Sequence, residues 1–242
     1  MCALSAGRPA GAQPLPGVAL RWDHCFGEGT GVEIRSFACN TNAGLETLVG
    51  SFALPASLSG VNGNEIVVDV FTGVPIITYS GSVNPVPAWW QFKNAGSCRQ
   101  YSLTAATAMD PDNQVCQDWA SGQATGFLAA YQLGPLGPNT ARIVVLSTAA
   151  PGALAELAGG AEYYSFTLHI NHQKSVGDGA CGGCDQLMTL ILGYIFVTTA
   201  DNANNTFLSG PLDASDSNIA VWRPGVVPVR ATGWAALKSR FR

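Results

Sequence analysis

"EYYSFTLHIN", residues 162–171, sets how the rest of the chain is read. Tyr164, Phe166, Leu168 and Ile170 alternate with Tyr163, Ser165, Thr167, His169 and Asn171. Successive side chains of a strand point to opposite faces, so a period of two predicts one apolar and one polar sheet face.

Short β-branched and aromatic runs of the same kind occur along the chain, bounded by Gly, Asn or Pro. They are VALRWD (18–23), VEIRSFACN (32–40), TLVGSFALP (47–55), NEIVVDVFTG (64–73), ATGFLAAYQL (124–133), ARIVVLSTA (141–149), LMTLILGYIFVTT (187–199) and NIAVWRP (218–224). Nine or ten strands with no long helical pattern between them predict an all-β fold. The expected architecture is an antiparallel β-sandwich, or a jelly-roll-like variant, over residues 13–224. Two short helices are expected, at PAWWQFKNA (87–95) and at DNQVCQDWAS (112–121), where Asp112 would cap the N-terminus. PGALAELAGG (151–160) reads as a helical turn or a loop.

Composition narrows the function classes. Charged residues make up 12% of the 242, about half the usual share, and the net charge is −4. Nucleic-acid binding, which needs a dense basic face, is therefore not expected. The longest apolar run, LMTLILGYIFVTTA (187–200), falls short of the roughly 20 residues a membrane-crossing helix needs.

Cysteine usage and the two ends of the sequence point outward. Apart from Cys2 there are six cysteines, and along the chain they fall into couples: Cys25 with Cys39, Cys98 with Cys116, Cys181 with Cys184. An even set in a lysine-poor chain suggests an oxidising compartment, and three local disulfides are expected. Ala10-Gly11-Ala12 before Gln13 resembles a signal-peptide cleavage site, so residues 1–12 read as the remnant of a signal peptide; the alternative is a disordered leader. Residues 225–242 read as a Pro/Gly linker followed by WAALKSRFR, a short basic amphipathic tail. Such a tail suggests a docking or sorting element, and a segment packed on the domain is the alternative.

Candidate chemistry centres on HINHQKSVGDGACGGC (169–184). Two histidines and two cysteines this close suggest tetrahedral zinc. Strand alternation sends His169 and His172 to opposite faces, however, and an exported Cys-x-x-Cys is usually oxidised. A disulfide-clipped loop is expected, with zinc or thiol redox work as alternatives. His169, on the polar face, is the candidate ligand-binding residue of this stretch.

Trp89, Trp90 and Trp119 could form a stacking platform for a sugar, or could be core residues. Asp110 and Asp112 in one loop, and Asp201 in another, are oxygen donors of the kind calcium uses, although Asp and Asn also form turns. No cofactor is otherwise expected, and no metal ligands are assigned beyond those alternatives. His24 beside Asp23 could do acid–base work but reads as a surface histidine. Glu65 and Asp69 share a strand face; a solvated sheet face is the expected reading, although paired carboxylates could serve glycoside hydrolysis. Neither a G-x-S-x-G nor an H-E-x-x-H motif occurs, and GEGTG (27–31) reads as a hairpin loop.

Four stretches taken together, WDHCFGEGTGVEIRSFACNTNAG (22–44), AWWQFKNAGSCR (88–99), EYYSFTLHINHQKSVGDGACGGC (162–184) and TGWAALKSRFR (232–242), resemble uncharacterised secreted β-rich proteins of environmental bacteria. The resemblance implies export and a disulfide-clipped β domain. The expected function is an exported cell-surface or extracellular structural or binding module, partnered by copies of itself or by an extracellular matrix or polysaccharide. The alternatives are a carbohydrate-binding module using the tryptophans, and a secreted hydrolase or metal-dependent enzyme.

Overall fold

The structure, a computed structural model, describes residues 15–73, 84–93, 96–110, 115–213 and 215–224. The expected leader (1–12), Asp112 and the tail (225–242) lie outside the described residues. In chain order the strands are β1 (Gly17–Trp22), β2 (Ile34–Phe37), β3 (Leu45–Ala53), β4 (Leu58–Thr72), β5 (Leu103–Ala106), β6 (Gln117–Asp118) and β7 (Ala124–Leu133). They continue as β8 (Thr140–Ala149), β9 (Ala155–Leu157), β10 (Glu162–Asn171), β11 (Met188–Thr199), β12 (Thr206–Leu208) and β13 (Ile219–Pro224).

The strands form two sheets packed face to face, so the all-β sandwich is borne out. The smaller sheet runs β1-β3-β10-β5, with β6 beside β10. The larger runs β2-β13-β11-β4-β8-β7, with β12 beside β11 and β9 beside β4. Pairing is antiparallel except at β6–β10 and β2–β13. The apolar run at 187–200 is β11, and among the described residues no helix is long and apolar enough to cross a membrane.

The core lies between the sheets. Leu20, Trp22, Leu48, Phe52, Phe166 and Leu168 of the smaller sheet meet Ile66, Val68, Val145, Leu190 and Ile195 of the larger. At Gly50 the Phe166 ring occupies the space a Cβ would need, so only glycine lets the ring lie against β3.

Bulges correct the expected alternation. The register of β10 on β3 shifts between Tyr164 and Phe166. Tyr163 therefore turns inward against Phe52, and Tyr164 turns outward to pack with Val49, Cys25 and Cys116. The simple pattern had placed these tyrosines the other way round. A bulge inserts one residue and reverses the faces beyond it, which a period-of-two reading does not register.

Both expected helices are also corrected. PAWWQFKNA holds only a 3-10 turn at Ala88–Trp90, its two indoles drawn into the core. In DNQVCQDWAS, Gln117–Asp118 form β6. Asp118 accepts from the Ala120 and Gly122 amides, closing a turn where a helix was expected. Ala155–Leu157, read as a helical turn or loop, is strand β9.

All six cysteines outside the leader are oxidised, but none pairs with its neighbour in sequence. The disulfides are Cys25–Cys116, Cys39–Cys184 and Cys98–Cys181, spanning 91, 145 and 83 residues. Cys25 follows β1 of the smaller sheet, and Cys39 follows β2 of the larger. Two-layer packing, not chain order, chose the partners. Cys98–Cys116 therefore does not staple a local excursion, and Cys181–Cys184 does not clip its own loop.

Candidate functional site

The histidines part as strand alternation requires. His169 lies half-buried on the outer face of β10, opposite Thr47 and Thr104. His172, one residue beyond the strand, is buried, and its ring packs 4.8 Å from that of Phe37. Its Nε2 donates to Glu46 Oε1 at 3.0 Å. Glu46 Oε2 accepts from Arg35 Nε at 2.8 Å, and Arg35 Nη1 donates to Asp23 Oδ2 at 2.6 Å. A polar chain thus runs inward from the half-exposed Asp23–Arg35 pair to His172. His172 Nδ1 has no hydrogen-bond partner among the described residues, and the ring faces the Gly44 backbone. With its ring on Glu46 and its amide donating to the Gly44 carbonyl at 3.1 Å, His172 holds a loop end. Asp23 serves Arg35, and among the described residues His24 Nδ1 is buried with no hydrogen-bond partner, so the expected His24–Asp23 pair is not formed.

Oxidation also removes the cysteines from metal chemistry, because a disulfide sulfur is not a thiolate ligand. Among the described residues no group of three His, Cys, Asp or Glu side chains is placed to hold a metal ion. Asp110 is exposed. Asp201 closes its own turn, accepting from the Thr199 hydroxyl at 2.8 Å and the Ala203 amide at 3.0 Å. Those bonds hold its carboxyl below the ordinary range.

The stacking platform is overturned. Trp89 and Trp90 are 0% exposed and Trp119 is 2% exposed, so none offers a ring face to a sugar. Trp89, Trp90 and Trp222 instead pack around Phe37 and His172. Arg99, 1% exposed, lies 3.4 Å from the centre of the Trp89 ring and donates to the carbonyls of Trp89 and Asn171. Burial pulls this guanidinium down to about 9. It ties the tryptophan turn to the end of β10. Beside it, Cys39, Ser175, Cys181, Gly183, Cys184 and Asp185 line a cleft of about 450 Å³.

Glu65 and Asp69 do share the outer face of β4. They stand four residues apart, about 13 Å between backbone positions along a strand, and each carboxylate has its own partner. Tyr194 donates its hydroxyl to Glu65 at 2.6 Å, and Arg142 grips Asp69 at 2.7 and 3.0 Å.

The feature the sequence reading missed is the rest of that face. In register across five strands stand Phe207 (β12), Phe196 (β11), Glu65 (β4), Leu146 (β8) and Phe127 (β7). The next row holds Tyr194, Val67, Val144 and Ala130. The Tyr194 and Phe207 rings lie 4.8 Å apart, and Phe127 and Phe207 are each 59% exposed. The bulge at Gly193 creates the row. Alternation from Leu190 and Leu192 would carry Tyr194 and Phe196 inward; the extra residue turns Ile195 and Val197 in and the aromatics out. The only sequence signal was that β11 is apolar at both parities, which a buried strand shares.

Fold and site together define a disulfide-braced β-sandwich with an apolar outer sheet face. No known protein family and no curated protein matches the chain.

Proposed function

We propose that this chain is an exported structural or binding module that associates with copies of itself through the outer face of its larger sheet. The observation that carries the reading is the Phe207–Phe196–Glu65–Leu146–Phe127 row, whose aromatic ends stand in solvent. Exposed, contiguous apolar surface of this kind marks interaction sites. The three disulfides fit an oxidising environment, which supports action outside the cytoplasm. A broad sheet face bearing exposed aromatic rings suits binding of another surface.

The test is sedimentation of the full chain over a range of concentrations, beside a Phe127→Ser/Phe207→Ser variant. Both positions are exposed, so the variant keeps its core. The parent should associate with rising concentration and the variant should remain monomeric. Identical behaviour of the two overturns the reading.

A further inference from the structure

Copies of this domain face an electrostatic obstacle to meeting. Residues 225–242 hold four of the 12 basic side chains (Arg230, Lys238, Arg240 and Arg242) and none of the 16 acidic ones. The preceding 224 residues therefore hold eight basic and 16 acidic side chains, a formal charge of −8. Like-charged bodies repel, and a complementary cationic segment favours contact between two copies.

The aromatic row sits at the acidic end of its sheet. Glu65 is within the row. Glu156, on β9, accepts from the Gly60 amide at 3.2 Å, and the Ala200 amide next to Asp201 donates to the same residue's carbonyl at 3.0 Å. Both carboxylates are exposed. Among the described residues the cations at or beside this face are Arg142, already bound to Asp69, Lys93, whose ammonium donates to the Leu128 carbonyl on β7, and Arg223 on β13, at the opposite end of the sheet. The surface thus combines apolar rings with unneutralised carboxylates.

One segment of the chain has the complementary chemistry. In WAALKSRFR, Trp234, Leu237 and Phe241 recur at helical spacing, and Lys238, Arg240 and Arg242 lie among them. We propose that residues 225–242 of one copy dock on the outer face of the larger sheet of the next. Their apolar side chains would lie over the Phe207–Phe127 row, and their cations would face Glu65, Glu156 and Asp201. Such a contact is heterologous, a tail on a face, and it propagates into rings or filaments. The inference rests on the proposed role of the face and adds the identity of what covers it.

The experiment uses four full-length chains: parent, Trp234→Ser/Phe241→Ser, Lys238→Glu/Arg240→Glu/Arg242→Glu, and Phe127→Ser/Phe207→Ser. Association is measured by sedimentation at low and high salt, and the synthetic peptide 225–242 is added to the parent as competitor. Both tail variants and the face variant should associate at least about tenfold more weakly, as expected when interface anchors are lost. Salt should weaken the parent, and the peptide should dissociate it.

If the face variant weakens association while both tail variants match the parent, the docking proposal falls and the face reading stands. If the tail variants weaken it while the face variant does not, both fall. A parent that stays monomeric while the peptide binds it would place the tail on its own body and overturn the head-to-tail arrangement.

Discussion

The double variant Cys181→Ser/Cys184→Ser separates the observed disulfide pairing from the local one by a wide margin. The three disulfides join three short segments, 25–39, 98–116 and 181–184, into one covalent ring. Around that ring run 14, 18 and 3 residues of chain, 35 in all. Breaking any one disulfide while the other two remain opens this same ring. The chain-entropy relation gives about 4 kcal/mol for it, whichever bond is cut and however far apart its cysteines lie in sequence. Replacing Cys181 and Cys184 removes two disulfides. After the ring opens, the second removal releases a loop of about 83 residues, about 4.5 kcal/mol more. The combined loss of about 8 kcal/mol is comparable to the whole stability of a domain. A local Cys181–Cys184 bond would close three residues and be worth only about 1.6 kcal/mol. The assay is guanidinium unfolding under non-reducing conditions, together with alkylation of the denatured variant. Observed pairing leaves Cys39 and Cys98 as two new thiols; local pairing leaves none. A well-folded variant with no new thiols refutes the ring.

Other perturbations test the polar contacts. Glu162 accepts from the Phe26 and Gly27 amides and the Ser51 hydroxyl, yet burial pushes its carboxyl above the ordinary value of 4.5. A raised folded value means that the folded chain holds this proton more tightly. The contribution is full below the unfolded value and is lost as pH rises through the folded one. Melting temperatures of parent and Glu162→Gln should therefore differ in the parent's favour more at pH 4 than at pH 7; a difference constant with pH overturns the account. Glu46→Ala leaves His172 buried with no acceptor and Arg35 without its inner carboxylate, and should cost about 3 kcal/mol in urea unfolding. A loss below about 1 kcal/mol would mean that the polar chain is not structural. Arg99→Ala should cost a similar amount, about 3 kcal/mol, and Arg99→Lys should not rescue it, because an ammonium cannot stack on Trp89 while serving two carbonyls. Full rescue by lysine, seen in the same titrations, would refute the stacked role.

What the sequence determined by itself is the class of fold. Alternation in EYYSFTLHIN and the apolar runs bounded by Gly, Asn and Pro follow from local chemistry: β-branched and aromatic side chains suit a pleated, half-buried surface. The same alternation placed His169 and His172 on opposite faces, because two residues three apart in an extended chain cannot share one. The six cysteines beyond Cys2 announced oxidation, since reading an even set needs no tertiary information.

Pairing and facing were decided only in three dimensions. Cys25 lies 14 residues from Cys39 in sequence, yet bonds across the outer surface of the smaller sheet to Cys116. Trp89, Trp90 and Trp119 carry no local mark of burial; the packing of the Ala88–Trp90 turn against Phe37 and Arg99 put the first two inside, and Trp119 joins the same core. The candidate surface depends on single inserted residues. A bulge at Gly193 turns Tyr194 and Phe196 outward, and another between Leu128 and Ala130 sends Tyr131 into the core while Phe127 stays in solvent. A period of two predicts the strand, but one extra residue reverses every face beyond it, and where that residue falls is settled by the neighbouring strands.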